Sequence, residues 1–230
     1  MLTDHLAELL FAPTATAVAN LTREGVSEAK IRLVGDVMYD AAIYYGVRTR
    51  ERSGILKQLG LRPRGYVLAT IHRAENTDEL QRLRAIVEGL AIIGQEWPVV
   101  LPLHPRTRGA VQRAELLEAL ESRVRVIDPV GYLDMVMLEM QAALVVTDSG
   151  GVQKEAFFYQ VPCVTLRDET EWVELVELGW NQLVTPTTAD AVAQAISGSV
   201  GRRGEQAQPY GDGHAAQKIV EHLLAAAFRP

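Results

Sequence analysis

The sequence predicts a doubly wound, parallel α/β sheet. Three observations carry that expectation. Short runs, apolar almost throughout, recur along the 230 residues. Amphipathic segments of helix length separate them. Several runs end abruptly in glycine or in His/Arg pairs. Strands that are apolar on both faces suit a parallel sheet covered on each side, and strand–helix repetition is how such sheets are wound.

The apolar runs are "IRLVG" (31–35), "YVLAT" (66–70), "PVVLPL" (98–103), "VRVID" (124–128), "ALVVT" (143–147), "VPCVTL" (161–166) and "QLVTP" (182–186). Residues 1–24 read as helical and precede the first run. Segment 78–94 places Leu80, Leu83, Val87 and Leu90 on one face, with Asn76-Thr77 available as caps and Asp78-Glu79 at the positive end of the dipole. Segments 105–120, 132–142, 150–159, 171–178, 188–198 and 213–227 carry the same pattern. The polar stretch 197–213 reads as a loop.

Composition narrows the function. The formal charge is −6, so no global basic field attracts nucleic acid or an anionic membrane. No apolar stretch approaches the roughly 18 residues that a membrane helix needs, and "MLTDHLAELLF" lacks the basic start of a signal peptide. The single cysteine, Cys163, lies inside an apolar run and reads as a small core residue in a reducing compartment. The expected location is cytoplasmic. Metal-ligand spacing is missing, as are the Walker A and dinucleotide glycine signatures.

The stretch "VTDSGGVQKEAFF" (146–158) carries the most chemistry. It runs from strand through a Gly150-Gly151 turn into a helix. Glycines allow close approach, and the first N–H groups of a helix favour an anion such as phosphate. Glu155 lies four residues beyond Gly151 on the same face, placed to accept from ribose hydroxyls. The competing reading is a tight turn with a solvated glutamate. "LATIHRAENTDEL" (68–80) brings His72 and Arg73 to the same carboxyl edge of the sheet, and "VVLPLHPRTRG" (99–109) brings His104 and Arg106. A lone loop histidine is ordinarily exposed or capping, yet these pairs beside a glycine anion site form a coherent cleft for a nucleotide diphosphate.

Together "GDVMYDA", "TIHRAENTDE", "LPLHPRTRG", "VIDPVGYLDM", "TDSGGVQKEAFF", "PCVTLRDETEWVELVELGWN" and "PYGDGHA" resemble, in order, the non-hydrolysing UDP-N-acetylglucosamine 2-epimerases. That resemblance implies a Rossmann-like C-terminal domain of a GT-B-like two-domain epimerase. Residues 25–230 would form the UDP-binding domain with its terminal helix, and residues 1–24 a helical remnant of an N-terminal domain that the chain lacks. It implies that Ser149, Gly150 and Gly151 hold the diphosphate and that Glu155 binds the ribose. The backbone at Val130 and Met135 would meet the uracil, with His72 catalytic, Arg73 at the substrate and His104 near the cleft. UDP would leave across C1–C2 of the sugar and re-add after C2 is reprotonated on the opposite face, with no cofactor or metal. The full-length partner would be a second copy. Trp172 in "TEWVE" replaces an arginine of the common branch and points to UDP-2,3-diacetamido-2,3-dideoxyglucuronate, a sugar of surface-polysaccharide synthesis. A UDP-binding module without catalysis and a GT-B glycosyltransferase are the alternatives.

Overall fold

The structure, a computed structural model, describes residues 2–227. It divides into two compact units, one of residues 1–45 with 206–230 and the other of residues 46–205. In chain order the elements begin with α1 (Leu2–Leu6), β1 (Leu10–Ala12), α2 (Ala15–Arg23), β2 (Ile31–Leu33) and α3 (Val37–Arg52). Then come α4 (Ile55–Gln58), β3 (Val67–Thr70), α5 (Ala74–Thr77), α6 (Leu80–Ile93), β4 (Val99–Pro102), α7 (Pro105–Arg113), α8 (Leu117–Glu121), β5 (Arg125–Ile127) and α9 (Tyr132–Gln141). The chain continues through β6 (Leu144–Thr147), α10 (Gly150–Phe158), β7 (Cys163–Thr165), α11 (Val173–Glu177), β8 (Asn181–Leu183), α12 (Ala189–Ser199) and α13 (Ala215–Ala227).

The larger unit holds a six-stranded parallel sheet in the order β5-β4-β3-β6-β7-β8. Alternate residues of one strand enter different cores. Val67 and Ala69 pack with Leu83, Ile86 and Leu90 of α6 and Val192 and Ile196 of α12. Leu68 packs with Ile55 of α4, Leu138 of α9 and Ala156 of α10. Two buried faces explain why the strands read as continuous apolar runs. The doubly wound α/β expectation therefore holds. Cys163 is buried in the second core, and burial pushes its thiol up to about 12, as its apolar surroundings predict.

In the smaller unit β1 and β2 pair in parallel, with Leu10 opposite Ile31. Gly35, at φ +92°, lets the backbone of Tyr210 and Gly211 approach so closely that a Cβ would lie 2.8 Å from the Tyr210 carbonyl oxygen. Asp40 accepts from the backbone N–H groups of Ala215 and Ala216 at the start of α13.

Several local expectations need correction. Residues 1–24 are not wholly helical, because Leu10–Ala12 forms β1; three residues are too short for an alternating pattern to register. Helix α3 and short α4 were not anticipated. Along α3 apolar residues cluster early and charged ones late, so no single apolar face is legible. Segment 105–120 is not one helix, because Glu115 takes φ +58° between α7 and α8. Asn76-Thr77 does not cap α6. Asn76 is fully buried within α5, and Glu79 occupies the N-cap position. Leu80 is half-exposed rather than on the buried face.

Candidate functional site

Strands β3 and β6 lie side by side at the centre of the sheet, and the chain winds outward from them in opposite directions. Their carboxyl ends therefore diverge into helices on either side and leave a crevice, the usual ligand position of such sheets. Thr70 and Thr147 end the two strands opposite each other, their hydroxyl oxygens 2.6 Å apart. The next residues, His72-Arg73 and Asp148-Ser149-Gly150, form the crevice walls.

Asp148 joins those walls. Its side chain has no solvent exposure. His72 N–H donates to both carboxylate oxygens at 3.1 and 3.0 Å, Arg73 N–H donates at 3.0 Å, and the Asn76 side-chain amide donates at 3.1 Å. The His72 Nδ1 lies 3.4 Å from Asp148 Oδ1, while half of the imidazole stays exposed. Asn76 also donates to the Leu166 carbonyl at the end of the β7 run. A buried carboxylate with charge-assisted bonds from a neighbouring loop fixes that loop firmly. Sequence reading passed over Asp148, although it stands between the strand and the glycines. An aspartate closing an apolar run was the one signal the sequence offered.

Ser149 caps α10, its hydroxyl accepting from Val152 N–H at 3.5 Å, and its own N–H donates to the Thr147 hydroxyl at 2.9 Å. Gly150 and Gly151 open this nine-residue helix. A Cβ placed on Gly150 would stand 3.6 Å from the Trp172 indole nitrogen, 3.8 Å from a Glu171 carboxylate oxygen and 4.0 Å from the Arg73 guanidinium. Arg73 and Glu171 form a long ion pair at 3.9 Å, and Arg167 makes two bonds to the same carboxylate at 2.8 and 3.1 Å. Arg167 thereby holds Glu171 below the usual carboxylate range. The loop after β7 is also tied to α10. Thr170 donates to Gln153 at 2.7 Å, and the Trp172 indole N–H donates to the Gly150 carbonyl at 2.9 Å.

Glu155 is half-buried one turn into α10, and burial raises its carboxyl above the ordinary value; the Tyr132 hydroxyl and Lys154 oppose the rise. Tyr132 reaches Glu155 at 3.5 Å. That contact brings the segment Val130–Met135 next to α10, with Val130 and Met135 both packed against the second core. Behind them Glu139 of α9 is fully buried, and burial with the nearby Glu155 charge raises its carboxyl well above the ordinary value.

His72, Arg73, Ser149, Gly150 and Gly151 thus meet at one crevice, and Glu155 follows on the same helix. His104 is the N-cap of α7, its Nδ1 accepting from Arg106 N–H at 3.2 Å, and Arg106 pairs with Asp78 at 3.0 Å. Those roles are the ordinary ones for a loop histidine and arginine. As a whole, the crevice offers helix-end N–H groups, a cation, a partly exposed imidazole and a half-buried carboxylate. Such a set suits an anionic ligand that also carries hydroxyl groups.

The chain matches the protein family described as UDP-N-acetylglucosamine 2-epimerase over residues 1–224. It is 48% identical to the UDP-2,3-diacetamido-2,3-dideoxy-D-glucuronate 2-epimerase of Pseudomonas aeruginosa, over 97% of this chain and 61% of that protein. It is 43% identical to a UDP-N-acetylglucosamine 2-epimerase homolog of Methanococcus maripaludis, over 97% and 62% of the two chains. The crystal structure of Methanocaldococcus jannaschii UDP-GlcNAc 2-epimerase in complex with UDP-GlcNAc and UDP superposes with a TM-score of 0.88 at 38% identity, over 97% of this chain and 63% of that one. The chain thus spans less than two thirds of the length of these relatives. Among the described residues no helix is long and apolar enough to cross a membrane.

Proposed function

The chain belongs to the UDP-N-acetylglucosamine 2-epimerase family, and from that premise we propose that its crevice binds the UDP part of a UDP-2-acetamido sugar and serves inversion at C2. The observation that carries this function is the Ser149-capped, Gly-Gly opening of α10, locked through Asp148 to the loop bearing His72 and Arg73. In this proposal the diphosphate lies against Ser149, Gly150 and Gly151, where the helix end stabilises its charge. Arg73 adds a cation 35% exposed to solvent. Glu155 accepts from the ribose hydroxyls, and the backbone at Val130 and Met135 meets the uracil.

The proposed chemistry asks the protein to steady a leaving group. The proton at C2 is taken by a base, the C1–O bond breaks, and UDP departs with its electron pair, leaving an unsaturated sugar. UDP then re-forms the C1–O bond while a proton reaches C2 from the opposite face. Donors held before the reaction stabilise the charge that develops on the diphosphate. His72 is the proposed acid–base side chain, kept at the crevice by the Asp148 bonds to its backbone.

Trp172 supports a preference for UDP-2,3-diacetamido-2,3-dideoxyglucuronate over UDP-N-acetylglucosamine, and hence a role in surface-polysaccharide sugar synthesis. The similarity to the P. aeruginosa protein named for that substrate supports the same assignment. Paired assays of the active protein with the two nucleotides test it; faster turnover of UDP-N-acetylglucosamine would overturn the preference.

The diphosphate position is tested by Gly151→Val. A branched side chain at the helix opening should block the phosphate and remove most UDP affinity. Isothermal titration of a folded Gly151→Val protein showing wild-type affinity would refute it.

A further inference from the structure

The Trp172 indole N–H donates to the Gly150 carbonyl at 2.9 Å. The Lys154 ammonium lies 4.1 Å from the centroid of the same indole ring, and Lys154 is only 5% exposed. We propose that Trp172 is a positioning residue that strengthens the Gly151 N–H as a donor to the diphosphate, and that Lys154 tunes it through the ring. The proposal rests on the diphosphate lying at Gly150-Gly151.

The Gly150 carbonyl and the Gly151 N–H belong to one peptide unit. A hydrogen bond on the carbonyl draws electron density through the amide and makes its N–H a better donor. Such cooperative strengthening is about 10–30% per bond. Within an α-helix the same carbonyl also accepts the N–H four residues on, that of Lys154. Both of its lone pairs are thereby used. The Lys154 ammonium sits well inside the roughly 6 Å reach of a cation over an aromatic face. It draws density from the indole and makes the indole N–H more acidic. Polarisation therefore runs from Lys154 through the ring to the Gly150–Gly151 peptide.

The arrangement is held from several sides. Trp172 N–H donates to the Thr170 hydroxyl at 3.1 Å, and that hydroxyl donates to Gln153. Gln153 is fully buried and donates to the Ser149 carbonyl at 3.2 Å. The charged groups near the turn are Arg73 and Glu171, which neutralise each other in part, and Glu155, whose carboxyl feels Lys154. A neutral indole thus brings polarisation to the phosphate-facing peptide without adding a fixed charge beside it.

The test uses two variants of residues 1–230. Trp172→Phe keeps an aromatic face under Lys154 and deletes the N–H. Lys154→Met keeps the apolar stem and deletes the charge. UDP and uridine affinities are measured by titration, and the Gly151 amide proton by NMR. Trp172→Phe should weaken UDP about two- to fourfold, the loss of a 10–30% strengthening of one hydrogen bond to a charged group, with uridine affinity unchanged and the Gly151 amide proton moved upfield. Lys154→Met should move UDP affinity and amide in the same directions by less. Were Trp172 only packing, UDP and uridine would change together, and Lys154→Met, which keeps the indole in place, would leave the amide unmoved. Unchanged UDP affinity or an unchanged Gly151 amide in folded Trp172→Phe overturns the proposal. Gly151→Val run alongside separates the two levels. Wild-type UDP affinity there defeats the diphosphate site itself, whereas a loss there with an inert Trp172→Phe defeats only the polarisation.

Discussion

Asp148 is the residue on which the crevice geometry depends. It has no solvent exposure, and it accepts from the backbone of His72 and Arg73 and from the Asn76 amide. Asp148→Ala would leave the buried Asn76 amide and the part-buried backbone N–H groups of His72 and Arg73 without this acceptor. Each such loss costs about 1–3 kcal/mol, so the variant should unfold at lower urea by about 3 kcal/mol or more. Asp148→Asn, which keeps an acceptor oxygen, should lose about half of that. Equal unfolding midpoints for Asp148→Ala and wild type would show that the bonds do not hold the two loops. The helix opening at Gly150-Gly151 and the place of Glu155 one turn on were legible in the sequence, because spacing and residue type carry them. Asp148 was not, because its importance lies in donors supplied from more than 70 positions away, a separation of 76 residues for His72.

Helices α9 and α10 place two carboxylates in one apolar setting. Glu139 is fully buried, and burial followed by the Glu155 charge raises its carboxyl well above 4.5. It also faces the titratable Tyr66, Tyr159 and Cys163, all of which its charge pushes further up. A raised folded value means that the folded state binds the Glu139 proton more tightly than the unfolded state. Its contribution is therefore fully present below 4.5 and is lost as pH rises through the window from 4.5 to the raised folded value. Glu139→Gln removes that loss, so it should raise the thermal midpoint at neutral pH and leave it nearly unchanged in acid. A variant with the same midpoint difference at both pH values would show that Glu139 does not titrate between the states. At this scale sequence reading found most elements of the sheet and misjudged their ends. The division of 105–120 into α7 and α8 turns on one backbone angle at Glu115, which residue type does not announce.

For the whole chain, the proposed diphosphate and ribose contacts all fall between Ser149 and Glu155, so residues 1–230 should bind UDP. Inversion requires an acid and a base near C2, and general acid–base catalysis contributes about 10²–10⁴-fold. His72 is the single side chain assigned to that task here, so residues 1–230 by themselves should not exchange the C2 proton. Proton NMR in deuterated water with either UDP-sugar checks this; exchange faster than in a His72→Ala control would show that His72 suffices within residues 1–230 and would overturn the expectation. The sequence by itself determined the sheet class, the apolar strands and the glycine opening of the helix after β6. Those depend on local pattern, since a strand buried on both faces and a helix opened by glycine each leave a mark within a few residues. Tertiary structure alone decided which strand ends share the crevice, that Asp148 bridges them, and that Trp172 lies on the Gly150 carbonyl over Lys154. Each is a contact between a side chain and a partner chosen by the winding of the sheet, where burial and hydrogen-bond satisfaction outweigh local preference.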